Sequence, residues 1–472
     1  MEGAVADAVR VASAQSRVDA YVIGGFVRDK ILGRPTKDMD IVAIGDGIRL
    51  AKEVAKQLGL PKPVIYSRFG TAMLDFDGLE VEFVGARKES YRADSRNPVV
   101  EAGTLEDDQN RRDFTINAMA VCLSEDRFSE FLDPFEGLSD IDRRIIRTPT
   151  DPDKTFSDDP LRMMRAVRFA SQLGYEIEEE TFKGIQRNVS RIDIISQERI
   201  TSEMNKIMLS PRPSVGWKLL MDTGLCELVA PEMYQLRGVD YVGSRGHKDN
   251  FYHTLEVLDN VSLESDDLWL RYAALLHDIG KPRTKRWDDR AGWTFHGHDA
   301  VGSYMVPKIF RKMKLPMGAE MNYVKKLVLL HLRPISLTNK NISDSAIRRL
   351  LFEAGDDIDD LMTLCQADIT TKNKGKMQRY LANYELVKSK MIELEESDRL
   401  RNWQPPISGE HIMDTFGIKP SRTVGDIKTA IREAILDGEI PNEFQAAHQY
   451  MLGLGAELGL GVDTELGSSA ID

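Results

Sequence analysis

The chain has 472 residues, 42% hydrophobic and 29% charged, with a formal net charge of −12 and three cysteines. That length exceeds what one hydrophobic core serves, so about two to four domains are expected. Cys122, Cys226 and Cys365 are far apart without a CxxC pair, which argues against a disulfide framework and favours a reducing cytoplasm. The N-terminus has no basic start followed by an apolar block, so no signal peptide is expected. No run of about 18 apolar residues occurs, so no membrane span is expected. In chain order, residues 1–145 mix short β-branched or alternating runs ("AYVIGG", "MDIVAIG", "TAMLDF", "LEVEFVGAR") with a helical stretch, "GIRLAKEVAKQLGL". This pattern predicts an α/β head. Helical spacing prevails from "SDDPLRMMRAVRF" onward, with Leu161, Met164, Val167 and Phe169 as an apolar stripe. It predicts a largely all-α neck (146–240), a histidine-bearing helical domain (241–376), a helical tail (377–455) and a Gly-rich end (456–472) that frays.

In the head, "GGFVRDKILGRPTKDMDIVAIG" puts Asp38 and Asp40 two positions apart where an apolar run begins. Such residues face one side of a strand, and like charges that close raise each other's pKa unless a cation lies between them. Oxygen ligands suit Mg²⁺. "LEVEFVGAR" offers Glu80 and Glu82 on one face of another strand, with Glu82 preferred as a third carboxylate. Gly24 and Gly25 follow a strand and open a helix, where bare backbone and the helix N-terminus suit a phosphate. Arg28, one turn on, is placed to grip a phosphate oxygen. The glycines alone read equally as a tight turn with a solvated arginine; the paired acids entering the next strand favour the site. Two divalent ions so held would activate a hydroxyl and stabilise a leaving pyrophosphate in nucleotidyl transfer.

The stretch "SDDPLRMMRAVRF" is expected to be one helix carrying Asp159, Arg162, Arg165 and Arg168 at three-residue intervals, a row that winds obliquely over the surface. Asp159 beside Arg162 would set an acceptor beside donors. Cytosine and adenine both present an amino donor beside a ring-nitrogen acceptor; uracil and guanine present the reverse. The pair would therefore admit C and A and leave polar groups unpaired against U and G. Arg165 and Arg168 are expected to face the triphosphate or the RNA end. Negative net charge lowers the expectation of nucleic-acid binding, yet arginines crowd between Arg143 and Arg199, a local basic stripe suited to nucleic-acid phosphates. An ordinary surface helix laced with ion pairs is the competing reading.

Taken together, "GGFVRD…KDMDIV", "RRDFTINAMA" and "DDPLRMMRAVRFASQLG" resemble the bacterial-type, class II tRNA nucleotidyltransferase and poly(A) polymerase family, over roughly residues 20–235. That family is a branch of the DNA polymerase beta-like nucleotidyltransferases, which implies a mixed-sheet head. The resemblance implies that Asp38 and Asp40 ligate the catalytic metals and that Gly25 and Arg28 contact the incoming triphosphate. It further implies that Arg112 contacts the nucleotide and that Asp113 holds the ribose side. The family motif reads Glu-Asp-x-x-Arg, and Asp158 stands here in place of the Glu. "RIDIISQERITSEMNKIML" and "GWKLLMDTGLCELVAPE" resemble the helical region that follows, where Glu198 and Arg199 are read as structural ties.

Six of the chain's eight histidines fall in the third segment. His253, the His277–Asp278 dipeptide and Asp368 lie on separate helical patterns, and imidazoles with carboxylates form a usual first-row metal site. His296, His298 and His331 are candidates for a second ion or for a substrate phosphate. The set resembles the HD superfamily of metal-dependent phosphohydrolases over roughly residues 247–375, which implies hydrolysis of phosphomonoesters or cyclic phosphodiesters with an unidentified divalent metal. A retained, inactive helical scaffold is the competing reading. The whole predicts a cytoplasmic, Mg²⁺-dependent, template-independent enzyme that adds or repairs the CCA end of tRNA from CTP and ATP, with no DNA or membrane partner. An A-adding enzyme or poly(A) polymerase of the same family is one rival. An HD-type phosphohydrolase with an RNA-binding head is the other.

Overall fold

A computed structural model describes residues 2–67, 70–92, 95–242, 245–246, 248–337, 343–370, 374–398 and 405–462. The last ten residues of the Gly-rich end, and residues 399–404 of the expected helical tail, lie outside these. The chain divides into two compact units, Met1–Tyr234 and Gln235–Asp472.

The first unit opens with α1 (Glu2–Ser16), β1 (Ala20–Ile23), α2 (Gly25–Ile31), β2 (Asp38–Ala43) and α3 (Gly47–Gln57). Then come β3 (Val64–Tyr66), β4 (Thr71–Phe76), β5 (Leu79–Gly85), a hairpin of β6 (Arg87–Arg92) and β7 (Ser95–Ala102), and α4 (Leu105–Asn110). β8 (Ala120–Cys122), β9 (Phe131–Leu132) and α5 (Gly137–Arg143) complete the head. Seven strands form one mixed sheet in the order β3-β4-β5-β2-β1-β8-β9, with β2 parallel to β5 and antiparallel to β1. Helical spacing explains the layer behind it. Val5, Ala8, Val9 and Ala12 of α1 and Leu50, Ala51 and Val54 of α3 are all buried, the stripe of an amphipathic helix. On the other sheet face Tyr21, Ile23, Val42, Ala120 and Cys122 form a second apolar cluster, and Asp40 extends that face toward the strand ends.

The helices continue with α6 (Pro152–Asp158), α7 (Leu161–Leu173), α8 (Glu179–Asn188), α9 (Gln197–Met208), α10 (Pro213–Thr223), α11 (Leu225–Val229) and α12 (Pro231–Tyr234). The expected stripe of Leu161, Met164, Val167 and Phe169 is buried, with α7 packed on α9 and α10. The single helix expected through "SDDPLRMMRAVRF" is broken, however. Asp159 is extended (φ −136°, ψ 99°) and α7 starts after Pro160. Proline disfavours the α conformation in the residue before it and fits the start of a helix, where its missing N–H costs nothing. Pro160 therefore ends one helix, starts another and moves Asp159 off both.

In the second unit, α13 (Asn250–Glu264), α14 (Leu268–Leu276), α15 (Lys281–Thr284), α16 (His298–Lys312), α17 (Ala319–Leu330), α18 (Arg333–Leu337), α19 (Asp344–Ala354) and α20 (Ile358–Ala367) precede the long α21 (Lys374–Asp398). Phe251, Leu258, Tyr272, Leu275, Leu361 and Leu364 are buried among α13, α14 and α20. α22 (Gly409–Phe416), α23 (Arg422–Asp437) and α24 (Phe444–Glu457) share a core of Ile412, Phe416, Ile427, Ile431 and Met451. Arg349 of α19 ties this core to the rest through Glu433 and Asp437 of α23. Among the described residues no helix is long and apolar enough to cross a membrane.

Candidate active site and metal centre

The parallel register of β2 and β5 sets Asp38 beside Glu80 and Asp40 beside Glu82. Burial holds the Asp40 carboxyl above its usual range; Arg112 pulls it down and Asp38 adds to the rise. Glu82 is also held up, by burial and then by Asp40. Adjacent carboxylates that resist ionisation are relieved by a hard cation, and every donor here is oxygen, which fits Mg²⁺. Gly24, at φ 87°, turns the chain out of β1. A Cβ there would stand 2.7 Å from Arg112 Nη1 and 3.6 Å from Asp40 Oδ2, so glycine is what lets this guanidinium approach the acids.

Cations line the rest of a cleft of about 300 Å³ that contains Gly25, Arg28, Asp38, Asp40, Arg112, Asp113, Asn117, Arg165, Arg168 and Phe169. Arg28 donates from Nε and Nη2 to the two oxygens of Asp29, both at 2.9 Å, and from Nη1 to Asn117 Oδ1 at 2.6 Å. Arg112 donates to Asp108 Oδ2 from Nε at 3.2 Å and from Nη2 at 3.1 Å, and the same buried carboxylate holds Arg111. Arg165 Nε lies 2.7 Å from Asp113 Oδ2, while Asn117 Nδ2 donates to Asp113 Oδ1 at 3.0 Å. Burial alone would push the Asp113 carboxyl up, but Arg165 and Asn117 hold it well below the usual range. Arg168 pairs with Glu203 at 3.2 Å, and burial brings its guanidinium down to about 10. Arg28, Arg165 and Arg168 stand 5.0, 5.4 and 4.1 Å from the centroid of Phe169, a cation–π support that fixes three guanidiniums on one ring. Carboxylates with cations around them can hold a metal–triphosphate complex.

Asp159 and Arg162 are not brought together. Asp159 Oδ1 accepts from Leu161 N–H at 3.1 Å and Oδ2 pairs with Arg199 at 3.2 Å. Arg162 is buried, donating to Thr155 O at 3.3 Å and Arg111 O at 2.5 Å. The arginine stripe is also less free than its composition suggests: Arg147 pairs with Asp140, Arg187 with Asp153 and Arg199 with Asp159. Asp108, Asn117 and Glu203 were not singled out from the sequence, and Phe169 was read only as part of the apolar stripe. Only Asn117 carried a local signal, four residues after Asp113 within "RRDFTINAMA".

In the second unit α13 supplies His253, the end of α14 supplies His277 and Asp278, α16 opens with His298, α17 ends before His331, and Asp368 follows α20. His253, His277 and Asp278 form one group and Asp278, His298 and His331 a second, with Asp368 beside the first. Asp278 Oδ2 lies 3.5 Å from His253 Nε2 and 3.2 Å from His277 Nε2. Its Oδ1 lies 3.2 Å from His298 Nε2 and 4.0 Å from His331 Nε2. Asp368 Oδ1 is 2.9 Å from His253 Nε2 and 3.7 Å from His277 Nε2. Nδ1 of His277, His298 and His331 each sits 2.7 Å from the carbonyl oxygen of the third residue back, Ala274, Phe295 and Val328. That network assigns the proton to Nδ1 and leaves the Nε2 lone pair free. The three Nε2 atoms are buried and make no hydrogen bond, as metal ligands would be. His253 Nδ1 instead meets Lys248 Nζ and Thr370 Oγ1, both at 3.0 Å. Lys281 Nζ stands 2.5 Å from Asp278 Oδ2. Burial pushes the His331 imidazole down to about 4. His296 is exposed and belongs to neither group, because Gly297 turns the chain just before α16 and only His298 enters the helix.

Residues 20–147 match the sequence family described as the poly A polymerase head domain, 174–236 the probable RNA and SrmB-binding site of polymerase A, and 250–372 the HD domain. An A-adding tRNA nucleotidyltransferase of Deinococcus radiodurans is 32% identical over 353 residues, covering 72% of this chain and 78% of that one. The chain belongs to the tRNA nucleotidyltransferase and poly(A) polymerase family. A CCA-adding enzyme of Geobacillus sp. is 30% identical over 453 residues, 93% of this chain and 94% of that one. The solved structure of the Bacillus stearothermophilus CCA-adding enzyme in complex with CTP is similar with a TM-score of 0.67 at 26% identity, covering 96% and 97% of the two chains. Membership in this nucleotidyltransferase family agrees with the mixed-sheet head, the helices after it and the HD domain.

Proposed function

We propose that the protein is a cytoplasmic, template-independent enzyme that adds or repairs the CCA end of tRNA from CTP and ATP. One observation carries this reading: Asp38 and Asp40, with Glu82 beside Asp40 on the next strand, share a cleft with Arg28, Arg112, Arg165 and Arg168. Mg²⁺ held by the three carboxylates would acidify the primer's 3′ hydroxyl and neutralise phosphate charge. The remaining work falls to the chain's own groups. Gly25 and Arg28 bind the triphosphate, Arg112 orients the nucleotide, and Arg165 and Arg168 face the phosphates. The 3′ oxygen bonds to the α-phosphorus as the bond to the β-phosphate oxygen breaks, and pyrophosphate leaves. Asp159 and Arg162 read the base, for which Asp159 exchanges Arg199 and Arg162 exchanges its two carbonyls for donors and acceptors on C or A.

The test is incubation with tRNA lacking its last three nucleotides and labelled CTP or ATP. C is expected to enter first and A last. Incorporation of A alone would reassign the chain to the activity named for the Deinococcus relative, and no incorporation of either would overturn the reading.

For the histidine set we propose hydrolysis of phosphomonoesters or cyclic phosphodiesters. His253, His277, Asp278 and Asp368 would hold one divalent ion, and Asp278, His298 and His331 a second. The buried Nε2 atoms support this assignment, and an ion there would supply an activated water.

A further inference from the structure

Between α15 and α16 the strands Arg286–Asp288 and Gly292–Thr294 form a hairpin with Trp287 opposite Trp293. Side chains two positions apart share a face, so the register extends this face to Lys285 and Phe295. The tryptophan rings meet edge to face at 5.4 Å. Lys285 Nζ lies 5.5 Å from the Trp293 centroid and Lys281 Nζ 5.7 Å from that of Phe295. All five side chains are partly exposed. The stripe ends on the metal-binding set: Lys281 pairs with Asp278, and the Phe295 carbonyl accepts from His298 Nδ1 at 2.7 Å. Between Lys281 and Arg290 five cations face two acids, and both acids are engaged locally. Asp288 accepts from the N–H groups of Arg290 and Ala291, and Asp289 from Trp287 Nε1. Asp240 pairs with Lys285.

A cross-strand aromatic pair alone stabilises a hairpin, but that role needs neither ammonium groups between the rings nor a stripe that terminates at a metal set. Flat rings interleaved with cations are what single-stranded nucleic acid binds, bases on the rings and phosphates on the cations. We propose that this face is a stacking platform that leads a single-stranded RNA terminus to the histidine set, with bases on Trp287 and Trp293 and the terminal phosphate ester at Lys281. The proposal rests on the reading of that set as a phosphohydrolase.

The full-length protein is to be assayed with a short oligoribonucleotide ending in a 3′-phosphate and with p-nitrophenyl phosphate. In Trp287→Ala and in Trp293→Ala, the ratio of kcat/KM for the oligonucleotide to that for the small ester is expected to fall about tenfold. An unchanged ratio, including equal losses on both substrates, overturns the platform. A second readout is independent of turnover. The oligonucleotide is expected to quench tryptophan emission of the metal-free protein and to lose that effect in the double variant Trp287→Phe, Trp293→Phe. Equal fractional quenching in both overturns the platform, whereas quenching lost only in the variant, without hydrolysis by either protein, overturns the phosphohydrolase reading alone.

Discussion

Asp113 is buried with one oxygen on Arg165 and the other on Asn117. Burial raises its pKa and the guanidinium overcomes that, so the folded value lies below the unfolded value of about 3.9. Its contribution to stability is therefore complete above the unfolded pKa and is lost as pH falls toward the folded one. Asp113→Asn is expected to cost about 1–3 kcal/mol at neutral pH, because it removes the charge-assisted hydrogen bond of a half-buried guanidinium. It is also expected to flatten the stability curve below about pH 4, as urea unfolding across that range would show. At this scale the sequence was informative where partners are local. Asp38 and Asp40 share a face by the two-residue period of strands, whereas Glu82 comes beside Asp40 only through the register of β2 on β5. Arg199, read as a structural tie, is the partner of Asp159 across 40 positions, and no spacing rule reaches that far.

Among the elements, the break between α6 and α7 bears most directly on the base selection proposed for Asp159 and Arg162. Pro160 keeps Asp159 extended, with its carboxylate on Arg199. Pro160→Ala removes the bar to an α conformation at Asp159, so one helix is expected to run through and pull the carboxylate from its place. Discrimination of CTP over UTP is then expected to fall about tenfold, measured by incorporation from each nucleotide, with little loss of total helix by circular dichroism. The helical character of this stretch was legible in its apolar stripe; the break was not taken from the letters, although the proline that causes it stands among them. The two groups around Asp278 were legible in part. His298 and His331 join them, whereas His296 remains at the surface, since which histidine of "HGH" faces inward depends on where α16 begins.

For the whole molecule, an α/β head and a helical remainder were legible because both periodicities are local, whereas the mixed order of the sheet followed only from the family resemblance. The charge pattern was not: the arginine-rich stripe is largely met by Asp140, Asp153, Asp159 and Glu203, acids that only folding brings to it. The units also differ in donor chemistry, oxygen alone in the head and nitrogen with oxygen in the histidine set. Imidazole suits later first-row ions, and carboxylate suits Mg²⁺. Treatment with a chelator selective for transition metals, then excess Mg²⁺, is expected to restore nucleotide addition fully while phosphate-ester hydrolysis stays absent until a first-row ion is returned. Both activities can be followed on the same sample. Because Asp278 offers one oxygen to each histidine group, an ion held by one group as proposed would orient the carboxylate for an ion in the other. Two ions held that way would be gained or shed together. If the histidine set hydrolyses phosphate esters as proposed, a shortage of its metal would stop that hydrolysis abruptly and leave nucleotide addition by the head untouched.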